Sequence, residues 1–146
     1  MKTIFITGAT SGIGKATAAL LAQQKNRLII CGRRQEILDT LSKEWSALTE
    51  VFTLNFDVRN LADVEKAIGS LPENWKNIDV LINNAGNAHG LSPLSDGETE
   101  DWDAMIDGNV KGLLYVSKAI IPVMKARNSG QIINISSIAA TQTYAN

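Results

Sequence analysis

Thr7-Gly8-Ala9-Thr10-Ser11-Gly12-Ile13-Gly14 follows the apolar run Ile4-Phe5-Ile6 and opens a segment carrying Ala16, Ala19 and Leu20. A glycine turn between a strand and a helix suits an anionic ligand. Gly8 permits the tight turn, Gly12 lets the backbone approach a diphosphate, and Gly14 lets helix and strand pack closely. The free N–H groups and dipole of the helix start then favour negative charge. A phosphate-loop NTPase is the rival, because Gly14-Lys15 looks like the end of its motif. It fails twice, since its first glycine falls on Ala9 and its Ser/Thr on Ala16. A turn that needs its glycines for packing alone is the plainer alternative.

Four further groups could do chemistry with such a ligand. Cys31-Gly32-Arg33-Arg34 has no acid where an NAD site places Asp or Glu for the ribose 2′-hydroxyl. A planar guanidinium suits a 2′-phosphate, so Arg33 and Arg34 favour NADP; two solvated arginines opening a helix are the alternative. Asp57 could accept from an adenine amino group, or Asp57 or Asn60 could cap the helix that begins at Leu61. Asn83-Asn84-Ala85-Gly86 suits close approach of a ligand and equally a polar bracket between loops. Asn109 falls on an apolar stripe that is expected to face the core, so it needs partners. It is either a helix-bending amide or the holder of a water for proton relay. Ser136-Ser137 closes another apolar run, where serines commonly satisfy turn backbone.

The elements that must position these groups alternate along the chain. Strands are expected at Thr3–Thr7, Arg27–Cys31, Val51–Asn55, Asp79–Ile82 and Gln131–Ile135. Helices are expected at Gly12–Gln24, Gln35–Trp45, Leu61–Leu71 and Thr99–Arg127, with Asn87–Gly97 a surface loop. Trp102, Met105, Ile106, Asn109, Val110, Leu113, Val116 and Ile120 give the last helix its i, i+3, i+4 stripe, and Pro122 should loosen its end. The alternation predicts an α/β fold with a parallel sheet covered on both faces. Gly8, Arg33, Asp57, Asn84 and Ser137 then all lie just past strand carboxyl ends, where open parallel sheets bind ligands.

Composition narrows the rest. The 146 residues carry 14 Lys+Arg against 15 Asp+Glu, a net charge of −1, with 45% hydrophobic residues. That suits one domain, excludes disorder and gives no electrostatic case for nucleic acid or anionic lipid. Lone Cys31 and lone His89 exclude a disulfide framework and make a Cys/His zinc site unexpected. No run approaches a membrane span, and Met1–Thr7 is too short for a signal sequence. A cytoplasmic protein is expected.

In this order and spacing, the motifs resemble the short-chain dehydrogenase/reductase family. Thr7–Gly14 matches its TGxxxGxG, Asn83–Gly86 its NNAG and Asn134–Ser137 its N-x-S-S. The resemblance covers essentially the whole chain and implies a doubly wound Rossmann sheet of order 3-2-1-4-5, continuing to two further strands. It implies hydride transfer between NAD(P) and an alcohol or carbonyl. Diphosphate contacts would come from Gly8, Ala9, Thr10, Ser11, Gly12 and Ile13, and the 2′-phosphate would be held by Arg33 and Arg34. Asp57 and Val58 would lie along adenine, with Asn84, Ala85 and Gly86 near the nicotinamide ribose. Ser137 would bond the substrate oxygen and Asn109 would hold a relay water. Gly32–Glu36, Asp57–Asn60, Leu71–Trp75 and Asn77–Asp79 resemble the NADP-dependent branch acting on 3-hydroxy acids and serine. A small-molecule hydroxy or carbonyl substrate and a homotetramer are expected from the family.

Two departures accompany the resemblance. Ala140 stands where the family often has Gly. The Tyr-x-x-x-Lys pair, whose tyrosine is expected about thirteen residues after Ser137, falls beyond Asn146, and Tyr144 is no substitute. A phenol of free pKa ~10 needs a nearby lysine charge to trade a proton near neutrality. Residues 1–146 are therefore expected to be a cut NADP-binding domain, inactive alone, with Ile132, Ile133 and Ile135 poorly covered. The alternatives are a non-catalytic dinucleotide-binding module ending at residue 146, or a hydrolase using Ser137 with His89. The hydrolase lacks a Gly-x-Ser-x-Gly elbow.

Overall fold

Successive side chains of a strand point to opposite faces, and a strand apolar at every position must be covered twice. Thr-Ile-Phe-Ile of β1 (Thr3–Ile6) is such a strand, buried throughout. In the computed structural model, which describes residues 1–142, it is followed by α1 (Gly12–Gln23), β2 (Arg27–Gly32), α2 (Gln35–Trp45) and β3 (Val51–Asn55). The chain continues through α3 (Leu61–Gly69), β4 (Val80–Asn83), α4 (Thr99–Met105), α5 (Gly112–Ala126) and β5 (Gln131–Asn134). Tyr144 lies outside the described residues.

All four strand pairings are parallel, in the order β3-β2-β1-β4-β5. The α/β class is as the alternation predicts, and the doubly wound sheet with its strand order is as the family resemblance implies. Ile4, Ile6, Leu28, Ile30 and Ile82 point to the side covered by Ala18 and Ala22 of α1 and Leu38, Leu41 and Trp45 of α2. Phe5, Ile29, Leu54 and Leu81 point the other way, against Val64 of α3 and Val116, Ile120 and Met124 of α5. Two cores thus share one sheet. β5 is exposed along its length, and Ile132, Ile133 and Ile135 are each more than a third exposed.

The long helix expected over Thr99–Arg127 is not one α-helix. A π-helical segment, Ile106–Lys111, separates α4 from α5. The wider turn rotates the two halves of the apolar stripe apart: Val116 and Ile120 are buried, while Ile106 and Val110 are about half exposed. Asn109 is exposed rather than facing the core. Beyond it, α5 runs through Pro122 to Ala126. No helix among the described residues is long and apolar enough to cross a membrane.

At the amino ends of the strands, Asp79 ties three elements. One carboxylate oxygen accepts from the Thr3 N–H at 2.8 Å, and the other accepts from the Arg127 guanidinium at 2.7 Å. Partial burial pushes this carboxyl up, but the hydrogen bonds from Arg127 and Thr3 outweigh it and hold it below the ordinary range. A depressed carboxylate contributes stability that is full above its unfolded pKa of ~3.9 and lost as pH falls through the folded value. Asp79→Ala should therefore cost about 1.5–3 kcal/mol at neutral pH. Urea titrations should show the gap from the parent closing below about pH 4.

Candidate functional site

The strand order reverses at β1 and β4: the chain leaves β1 toward β2 and leaves β4 toward β5. The loops after these two strands must therefore part, and a crevice opens between them. A cleft of about 900 Å³ occupies this edge. It is lined by Gly8, Thr10, Ser11, Gly12 and Ile13, by Arg33 and Arg34, by Asp57 and Val58, by Asn84, Ala85 and Gly86, and by Asn109 and Ser137. One expected residue lies elsewhere. Ala9 is fully buried in the core, and its N–H donates to the Cys31 carbonyl at 3.1 Å, so that donor is spent on the sheet.

Thr7 holds the crevice at its floor. Its hydroxyl oxygen accepts from the N–H groups of Asn84 and Ala85, both at 2.9 Å. The Asn84 amide donates back to the carbonyls of Thr7 at 2.9 Å and Gly8 at 3.2 Å. A second bracket lies behind it, where the Asn83 amide donates to Ser117 Oγ at 3.0 Å and Asn134 Oδ1 at 2.9 Å. The paired asparagines are thus brackets through their side chains, and Ala85 and Gly86 offer the small surface. Sequence reading missed Thr7, whose type was visible but whose partners come from a strand far along the chain.

The glycine loop is shaped by this clasp. Gly8 has φ +66° and Gly12 φ +53°, the left-handed region that favours glycine. Space beyond Gly12 is open, whereas a Cβ on Gly14 would run into the Gly8 carbonyl and the Asn84 amide. Within α1 the first intrahelical donor is the Lys15 N–H, to Ser11, and Ser11 gives no side-chain cap. The N–H groups ahead of Lys15 therefore face the cleft's end without helical partners. Cys31 sits behind this loop with its thiol pushed up to about 12 by burial, a shift reduced by a hydrogen bond with Gly8. It is not a nucleophile at neutral pH.

The end of the cleft at β2 and β3 is built from charges. Asn60 caps α3, accepting from Ala62 at 3.0 Å and Asp63 at 3.3 Å, which frees Asp57 from that role. Arg59 instead grips Asp57, with Nε 3.0 Å from both carboxylate oxygens and Nη2 2.6 Å from one. Partial burial raises the Asp57 carboxyl, but the Arg59 hydrogen bonds and the charges of Arg59 and Arg33 hold it below the ordinary carboxylate range. Arg33 stands 3.8 Å from Asp57, beyond hydrogen-bond reach, with its side chain 66% exposed. Arg34 begins α2 and donates to Thr10 Oγ1 at 2.8 Å, joining the second strand end to the glycine loop.

At the other end, Asn109 lies within the π segment. Its Oδ1 accepts from the Asn87 N–H and its Nδ2 donates to the Asn87 carbonyl, both at 2.8 Å. The side chain pins the loop after β4 instead of bending its own helix. Ser137 Oγ accepts from the Ala139 N–H at 3.2 Å, which leaves the hydroxyl proton free to donate. His89 lies against Asp101 at 3.7 Å and does not line the cleft, so the hydrolase pairing with Ser137 has no geometric support. Among the described residues, no group of three or more His, Cys, Asp or Glu could hold a metal ion.

Fold and cleft together define a doubly wound α/β protein with an open cleft along the carboxyl edge of its sheet. The profile of the short chain dehydrogenase family matches residues 2–146, and the chain belongs to that family. It is 44% identical over 142 residues to the NADP-dependent 3-hydroxy acid dehydrogenase YdfG of Shigella flexneri, covering 97% of this chain and 56% of that protein. The NADP-dependent 3-hydroxy acid dehydrogenase of Schizosaccharomyces pombe is 41% identical over 146 residues, with 98% and 56% covered. The closed form of a serine dehydrogenase complexed with NADP+ superposes with a TM-score of 0.92 at 45% identity, covering 98% of this chain and 57% of that one. The chain thus spans about half the length of the relatives it matches.

Two glycine substitutions separate packing from ligand approach. Gly14→Ala should cost about 1–3 kcal/mol, because backbone must move to admit the methyl group. Gly12→Ala meets open space and should cost only the left-handed strain, roughly 1–2 kcal/mol. Urea denaturation of both variants measures the difference.

Proposed function

We propose that residues 1–146 form the NADP-binding part of an oxidoreductase that moves a hydride between nicotinamide and an alcohol or carbonyl. The substrate class is a 3-hydroxy acid such as serine or 3-hydroxypropionate. The observation that carries the reading is Arg33, an exposed guanidinium at the end of β2, where the run Cys31-Gly32-Arg33-Arg34 offers no acid of its own for a 2′-hydroxyl. A 2′-phosphate there would meet paired, charge-assisted donors. The open side of Gly12 and the free donors at the start of α1 suit the diphosphate. Asp57 and Val58 lie where adenine would, with Asn84, Ala85 and Gly86 toward the nicotinamide ribose. The names of the NADP-dependent relatives support the same cofactor and substrate class.

NADP supplies the hydride carrier; the chain supplies orientation and proton handling. Ser137, its oxygen already anchored by Ala139, donates its proton to the substrate oxygen as charge develops there. Asn109 uses one lone pair and one N–H on Asn87 and keeps one of each, so it is held in place and can still bond a relay water. The acid itself is a Tyr-x-x-x-Lys pair, which does not occur between Ser137 and Asn146. Ser137 and Asn109 orient that relay and do not replace it. Trp102 of α4, Ile106 and Val110 of the π segment and Leu114 of α5 are exposed apolar side chains four residues apart, which supports a homo-oligomer.

In the native polypeptide carrying these residues, NADPH should bind more tightly than NADH. Arg33→Ala combined with Arg34→Ala should bring the two affinities together, as read by fluorescence titration. Equal affinities before mutation would refute the cofactor assignment. Ser137→Ala should lower kcat about 10²-fold or more while leaving the NADPH dissociation constant unchanged.

A further inference from the structure

Arg33 faces a conflict that the cleft itself creates. Asp57 is a carboxylate 3.8 Å away, close enough to capture the guanidinium that the NADP reading assigns to a 2′-phosphate. Asp57 also adds a negative charge at the end of the cleft that must accept an anion. Arg59 resolves both difficulties. It surrounds the carboxylate with its backbone N–H at 3.0 Å, its Nε at 3.0 Å from each oxygen and its Nη2 at 2.6 Å. Three of these four contacts come from the guanidinium, whose Nε and Nη2 span both carboxylate oxygens as a fork. The Asp57 side chain is three-quarters buried and that of Arg59 more than a third exposed, so solvent screens the pair in part and the hydrogen-bond geometry holds it. Arg33 keeps its donors, and the local charge left by Asp57 is neutralised.

A weaker and more distant influence on Arg59 comes from the π segment. The charge of Asp107, in the π segment, also favours the Arg59 cation, while Asp107 itself pairs with Lys111 at 2.7 Å. Val58, between Asp57 and Arg59, packs against Gly112, where a Cβ would meet Val58 Cγ2 at 2.7 Å. Arg59 therefore stands on a loop seated against α5, with its guanidinium on Asp57.

We propose that Arg59 is a specificity-determining positioning residue: by sequestering Asp57 it keeps Arg33 available for the 2′-phosphate. The proposal rests on the NADP reading of the cleft. Without Arg59, Asp57 pairs with Arg33, and the apparent affinity for a 2′-phosphate falls by the fraction of Arg33 left free. Capture for about nine-tenths of the time gives about a tenfold loss.

The test compares 2′,5′-ADP with 5′-AMP by calorimetric titration of the native polypeptide, because their affinity ratio isolates the 2′-phosphate from adenine contacts and from general damage to the fold. The unmutated protein should favour 2′,5′-ADP. Arg59→Ala should reduce that ratio about tenfold. Asp57→Asn added to Arg59→Ala should restore it, because the captor of Arg33 is gone. Arg59→Lys, which keeps a charge and loses the fork, should fall between. If Arg59→Ala leaves the ratio unchanged, the proposal is wrong and the NADP reading stands. If the ratio falls and Asp57→Asn does not restore it, Arg59 touches the phosphate directly and the positioning role is overturned. A ratio of one in the unmutated protein removes both readings together.

Discussion

The clasp between Thr7 and Asn84 is the interaction on which the cleft depends. A parallel sheet that reverses its strand order has to separate two neighbouring loops and still hold them in register. Thr7 is almost wholly buried at that point, and one hydroxyl oxygen receives two backbone donors from the opposite loop. The Asn84 amide closes the return path onto Thr7 and Gly8. Four hydrogen bonds over one crossover satisfy backbone groups of the two loops that strand pairing leaves open. They also explain the tight position of Gly14, since the space a side chain would need is filled by the clasp itself.

Charge organises the other end of the cleft. Asp57 sits among cations, and only one of them, Arg59, is within hydrogen-bond reach. The carboxylate therefore stays ionised across the physiological range while Arg33 remains exposed. Arg34 takes a different part, tying α2's start to Thr10 and so to the glycine loop. Two adjacent arginines of the same type thus have separate positions, one directed to solvent and one to the loop that would carry a diphosphate.

Strands and most helices were legible because their signals are local. Apolar runs of four to six residues bounded by turns gave the five strands, and Gln35–Trp45 and Val51–Asn55 match the expected bounds. The strand order came from the family resemblance and not from periodicity. What sequence spacing could not show was the π segment. Asn109 belongs to the apolar stripe only if the helix keeps 3.6 residues per turn, and its bonds to Asn87 belong to a loop over twenty residues earlier. Ala9 was misplaced for a related reason: it sits inside the glycine motif, but its N–H closes the β1–β2 ladder. Asp57 and Asn60 were equivalent caps in the sequence, and the choice fell to Asn60 once Arg59 had taken the carboxylate.

In the proposed reading one strand edge holds a 2′-phosphorylated dinucleotide between the start of α1 and the end of β2. A crystal structure of the native polypeptide grown with NADP+ decides the matter. The diphosphate should accept from backbone N–H groups at the start of α1, with the 2′-phosphate against the Arg33 guanidinium and Asp57 still gripped by Arg59. A dinucleotide bound with its 2′-phosphate turned away from Arg33, or a diphosphate remote from Gly12, would contradict that reading.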